Sequence, residues 1–117
     1  MDFDEAIRAH SSWKLKLSNY LRTPDKSIDI ATLEVDNKCP LGCWVHGEGT
    51  KYASSPEFVT LKAEHAKFHK AAAAVARKAE SGKAVSEEIA LGGKSDFSQA
   101  SQAVISAIMA IKKRVGT

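Results

Sequence analysis

Residues 54–80 read Ser54-Ser55-Pro56-Glu57-Phe58-Val59-Thr60-Leu61-Lys62-Ala63-Glu64-His65-Ala66-Lys67-Phe68-His69-Lys70-Ala71-Ala72-Ala73-Ala74-Val75-Ala76-Arg77-Lys78-Ala79-Glu80. The stretch opens with serine, proline and an acid, the order expected of a helix cap, its first position and its first turn. Apolar residues then recur at helical spacing: Phe58, Leu61, Phe68, Ala72, Val75 and Ala76. The pattern predicts a helix to about Glu80 that stops at Ser81-Gly82. His65 and His69 lie inside the apolar stripe, four residues apart. That spacing puts both imidazoles on one side of a helix, one turn apart, facing inward. Buried polar groups are costly when unpaired, so the pair needs partners in the interior.

Toward the N-terminus, the first segment carries the series Phe3, Ile7, His10, Trp13, Leu17, Leu21. It predicts one helix from Asp2, with Glu5 as a capping-box partner, to just before Thr23-Pro24. A short helical piece is expected from Ser27 to about Val35, followed by a polar break at Asp36-Asn37-Lys38. The run Cys39-Pro40-Leu41-Gly42-Cys43-Trp44-Val45-His46-Gly47 reads as a helical turn or two between glycines. A further piece is expected from Val85 to Leu91. The last helix opens at Ser95 or Asp96 and shows the stripe Phe97, Ala100, Val104, Ala107/Ile108, Ile111, Val115. Strand signals are nearly absent. The expected fold is all-α: an antiparallel four-helix bundle with additional short helical segments and a metal site between helices, forming a single domain over residues 1–117.

Composition sets the bounds. A chain of 117 residues, 44% hydrophobic and 26% charged, matches an ordinary globular protein. No apolar run approaches the ~20 residues that span a bilayer, so membrane insertion is not expected. The start, Met1-Asp2-Phe3-Asp4-Glu5, lacks a basic region followed by an apolar one, and a cytoplasmic location is the expectation. The net charge of +3 is mild. The Lys112-Lys113-Arg114 run closes a helix, where cations suit the dipole, and no aromatic-plus-basic stripe argues for nucleic acid. The two cysteines, four residues apart, suit a site better than a structural disulfide.

Three inward histidines, His10, His65 and His69, together with Cys39 make a four-ligand set that zinc accepts tetrahedrally. Nitrogen and sulfur donors disfavour magnesium and calcium. Each residue also has a plainer reading. His10 alone would suit a core histidine bonded to a carbonyl, Cys39 a small buried hydrophobe, and His46, in a Gly-flanked turn, an exposed polar residue. Four protein ligands leave no open position for water. Ala66 also stands where a zinc protease of the H-E-x-x-H type carries its glutamate. A di-iron bundle needs Glu-x-x-His pairs, and Glu64 is misplaced for one. The expectation is a protein that is not an enzyme.

The motifs His10-x-x-Trp13, Cys39-Pro40-Leu41-Gly42-Cys43-Trp44 and His65-x-x-x-His69 together resemble the bacterial chemoreceptor zinc-binding (CZB) domain over about residues 7–76. The resemblance implies a zinc-binding helical bundle whose metal ligands are His10, Cys39, His65 and His69. It also implies a cytoplasmic domain attached to chemoreceptors or to enzymes that make cyclic di-GMP. Such domains often pair as homodimers and report zinc availability or oxidants that attack the zinc-bound thiolate. Cys43 departs from the family's usual lysine. A second thiol there can compete for the metal, trap an oxidised Cys39, or simply sit exposed.

The expected function is a cytoplasmic zinc-binding sensory domain that controls a signalling output such as chemotaxis or cyclic di-GMP synthesis, with the output domain in cis or trans. The alternative is a structural, zinc-braced dimerisation or docking module. Ile105 and Met109 widen the apolar face of the last helix and suggest a homodimer. Trp13 and Trp44 are expected near the site, and Gly42 is expected to permit a backbone turn that aims Cys39 inward.

Overall fold

The computed structural model describes residues 1–23, 27–81, 91–93 and 95–115, and among these every regular element is helical. In chain order they are α1 (Phe3–Ser11), α2 (Trp13–Arg22), α3 (Ile30–Glu34), α4 (Pro40–His46), a 3-10 helix (Glu48–Tyr52), α5 (Pro56–Glu80) and α6 (Asp96–Val115). The piece expected at Val85–Leu91 lies outside the described residues except for Leu91, which is buried.

The long helix α5 follows its sequence signals closely. Ser55 caps it by accepting from the Phe58 N–H at 3.2 Å, Pro56 takes the first position, and the helix stops at Glu80. Its apolar face, from Phe58 through Ala79, is buried against α6, α3 and α2. Phe68 on α5 and Phe97 on α6 meet with ring centroids 5.5 Å apart. The α6 face Val104, Ala107, Ile108 and Ile111 is likewise buried.

The first segment is two helices, not the single helix its periodicity suggests. Ser11 Oγ donates to Ile7 O at 2.7 Å and Ser12 Oγ donates to Ala9 O at 2.8 Å. Consecutive serines that bond back to the preceding turn compete with the helix ladder there. Ser12 keeps right-handed helical angles, and α2 resumes at once through Lys16 N–H to Ser12 O. The interruption therefore spans one residue. It leaves His10 in the last turn of α1, while α1 packs against α6 and α4, and α2 against α5. Asp2 caps α1 through the Glu5 N–H, but the Glu5 carboxylate pairs with Arg8 instead of completing the box.

The helix expected over residues 27–35 is shortened to Ile30–Glu34. Asp29 takes the cap, accepting from Thr32 N–H and Thr32 Oγ1, and Val35 is extended. Among the described residues, ion pairs join distant segments at Arg77–Glu34 (2.5 Å) and Lys112–Asp4 (2.7 Å). Lys112 thus has a partner on α1 in addition to its place in the last turn of α6. The Tyr20 hydroxyl donates to the Glu80 carboxylate and ties α2 to the end of α5.

Candidate metal centre

Three separate elements present the donors. His10 comes from the end of α1, Cys39 is the residue that caps α4, and His65 and His69 stand one turn apart in the middle of α5. Their four ligand atoms all lie within 4.8 Å of one another. The Cys39 Sγ is 3.3 Å from His65 Nε2, 3.5 Å from His69 Nε2 and 4.0 Å from His10 Nε2, and the two α5 Nε2 atoms are 2.9 Å apart. A tetrahedral zinc with its ordinary bond lengths separates nitrogen donors by about 3.3 Å and nitrogen from sulfur by about 3.5 Å. The three nitrogen–sulfur distances bracket the second value, and the α5 nitrogen pair lies closer than the first.

Hydrogen bonds on the far side of two rings fix which nitrogen faces the centre. His10 Nδ1 lies 2.7 Å from Ala6 O and His69 Nδ1 lies 2.8 Å from Leu33 O. A carbonyl only accepts, so each Nδ1 carries the proton and each Nε2 keeps a lone pair aimed at the cluster. Metal-binding histidines are held in this way. His65 differs: among the described residues its buried Nδ1 has no partner, while its Nε2 faces Cys39 and His69. The lone pairs of His10 and His69 meet the Cys39 sulfur in a buried pocket, and His65 Nδ1 is left unpaired there, an arrangement that a cation between the donors satisfies. The residues present therefore fit a zinc ion.

Burial sets the protonation of this pocket. His10, His65 and His69 are 3%, 0% and 4% exposed, so the imidazolium form is disfavoured in each. His65 is pushed down to about 3, first by burial and then by the neighbouring His69 and His10. His10 is lowered by burial against the opposing Ala6 carbonyl, and His69 by burial against the Leu33 carbonyl and Asp36. Burial raises the Cys39 thiol, with the Gly42 and Leu41 N–H groups acting the other way. Three neutral imidazoles are ready ligands; the thiol must still release its proton when a cation binds.

The local fold of α4 aims the sulfur. Cys39 has extended backbone angles, and its Sγ accepts from Gly42 N–H at 3.4 Å. Gly42 matters for a reason other than the expected turn. It lies inside α4, and a Cβ there would stand 1.8 Å from Asp36 O, so only glycine lets the 36–37 backbone cross the helix. The same strap is held by Cys43 Sγ donating to Asn37 O at 3.6 Å and by His46 Nε2 beside Asp36 at 3.3 Å. His46 is thus half-exposed and joined to the strap, outside the donor cluster. Cys43 is exposed.

The two tryptophans occupy different places. Trp44 packs against Phe3, Tyr52 and Phe58, behind α4, with Gly49 against its ring. Trp13 lines a cavity of about 830 Å³ that also exposes Cys39 and His69, between α2, α3 and Lys38. Lys16 lies over the Trp13 ring at 4.7 Å. Side-chain patterns alone give no signal for the carbonyls of Ala6 and Leu33. Asp36, an acid three residues before Cys39, does leave a trace in the sequence, as the polar break.

No curated protein and no solved structure matches the chain. The chemoreceptor zinc-binding domain matches residues 10–76, more than half of the sequence and the span that contains all four donors. The chain belongs to that family, and zinc is the family's metal.

Proposed function

We propose that His10, Cys39, His65 and His69 ligate one zinc ion and that the chain, a single domain over residues 1–117, is a cytoplasmic sensory module. On this reading its signal is zinc availability or a thiol oxidant, and its output is a bacterial signalling protein such as a chemoreceptor or a cyclic di-GMP synthase, in cis or in trans. The observation that carries the proposal is the origin of the donors. They come from α1, the α4 cap and α5, so loss of one bond frees an element that is remote in sequence. When bound, zinc supplies a charge that keeps Cys39 deprotonated and a crosslink between helices. Full ligation by protein leaves no place for a substrate, which supports a regulatory role without catalysis.

Cys39 supports the sensing half of the reading. It is the one donor that is only half-buried, and it lies on the wall of an open cavity, where a small reagent reaches it. The long helices are read as an antiparallel bundle, in which a released crosslink shifts α1 and α2 against α5. Met109, 53% exposed on α6 beside the part-buried Ile105, supports a homodimer.

A structural brace is the second reading, favoured by the near-complete burial of all three histidines. Zinc content measured across a series of buffered free-zinc concentrations, with and without peroxide, separates the two. A sensor empties within the cellular free-zinc range or on oxidation of Cys39; a brace stays filled under both treatments.

A further inference from the structure

The cavity of about 830 Å³ between α2, α3 and Lys38 has the size of a site for a small organic molecule. Its wall joins an apolar part to an excess of positive charge. Leu33, which is buried, and the half-buried Trp13 and Ile28 supply the apolar part. Lys16, Arg22 and Lys38 supply the charge, against a single lining acid, Asp29. Three cations to one acid is a local bias, because the whole chain carries 17 and 14. Asp29 is moreover engaged: its carboxylate oxygens accept from Thr32 N–H at 3.3 Å and from Thr32 Oγ1 at 2.9 Å. Among the described residues neither Lys16 nor Lys38 has an ion-pair partner. Lys16 Nζ stands 4.7 Å from the centre of the Trp13 ring, so charge and apolar surface adjoin.

We propose that this cavity binds a small organic anion, an aromatic ring system bearing a carboxylate, with the ring against Trp13, Ile28 and Leu33 and the carboxylate against Lys16 and Lys38. Each half of such a ligand has a physical reason to enter. The ring and the wall remove apolar surface from water together, with Trp13 as an aromatic partner. The carboxylate gives two ammonium groups a charge-assisted hydrogen-bond partner beside a wall that sheds water. A neutral ring system gains only the first of these, and a small inorganic anion only the second.

Cys39 and His69 line the same cavity, whereas His10 and His65 do not. An occupant therefore covers two of the four donors and slows exchange of the metal. That consequence, unlike the binding itself, rests on Cys39 and His69 ligating zinc.

The test titrates the full zinc-loaded chain, isotope-labelled on nitrogen, with 2-naphthoate, with the uncharged 2-naphthamide and with inorganic phosphate. The two indole N–H signals report the place of binding. Trp13 lines the cavity, while Trp44 packs behind α4 against Phe3, Tyr52 and Phe58. Naphthoate should move the Trp13 signal and leave that of Trp44 in place. Its Kd should be at least about tenfold below that of the amide, since a hydrogen bond to a charged group contributes that much. Phosphate should move neither signal. Replacing both exposed lysines, Lys16→Gln with Lys38→Gln, should keep the Trp44 signal and bring the two naphthalene compounds to equal affinity. Equal affinity in the wild type, a Trp44 response equal to that of Trp13, or a Trp13 signal unmoved by millimolar naphthoate would each overturn the proposal. Naphthoate should also lengthen the half-time of zinc loss to a competing chelator in the wild type and not in the double variant. A chain that holds no zinc on metal analysis would remove the reading behind that last result and leave the titration to decide the site.

Discussion

Among the four donors Cys39 differs from the imidazoles in what binding demands of it. Burial already holds His10, His65 and His69 neutral, whereas it holds the Cys39 thiol protonated until a cation displaces the proton. His69 is tied on both sides, to Leu33 O through Nδ1 and to the cluster through Nε2. His69→Ala should leave less than about a tenth of the wild-type zinc under a competing chelator, since a lost ligand costs orders of magnitude in affinity; full occupancy by metal analysis would clear His69 of the role. Acid acts through the same groups. An unfolded imidazole titrates near 6.5, and folding lowers His65 to about 3 and shifts its two neighbours the same way. Between those limits the unfolded chain binds protons that the folded chain refuses. The metal-free protein should therefore lose stability as pH falls from about 6.5 toward 3 and change little through these groups above 7. Urea midpoints of chelated protein at pH 7 and pH 5 check the sign. The clustering of these four residues was legible, because histidines inside apolar stripes and a four-residue pair announce themselves by spacing. The carbonyls that orient the rings were not, since any residue type supplies one.

At the scale of elements, the strap of residues 36–37 over α4 determines where the sulfur points. Gly42→Ala places a methyl group against Asp36 O, so either the strap lifts or α4 moves. The expected cost is roughly 1–3 kcal/mol of stability, the range for overpacking a close contact. Zinc affinity should fall in parallel because Cys39 begins the displaced helix. Unchanged melting and unchanged zinc binding would show that the strap is not needed. His46→Ala removes only a half-exposed contact to Asp36 and should leave zinc content as it is. The ends of α5 were readable from Ser55-Pro56 and Ser81. The break at Ser12 was not, because the apolar stripe continues through it and the competing bonds belong to two serine hydroxyls. The close approach at Gly42 was equally hidden, since its partner is the backbone of another segment.

For the whole molecule, the apolar faces of α5 and α6 are packed against each other without help from the metal. Chelation should therefore lower the melting temperature while far-UV helicity largely persists, with hydrogen exchange rising first in α1 and α4. Complete loss of helix would show that zinc is the core. Light scattering at micromolar concentration should report a dimer that Met109→Lys converts to monomer; a monomeric wild type would remove the proposed α6 interface. X-ray absorption at the zinc edge counts the ligand set directly. The expected shell is one sulfur near 2.3 Å and three nitrogens at about 2.0–2.1 Å, from His10, His65 and His69 with Cys39. A shell with two sulfurs, which would bring Cys43 into the site, or one with no sulfur at all, would contradict it.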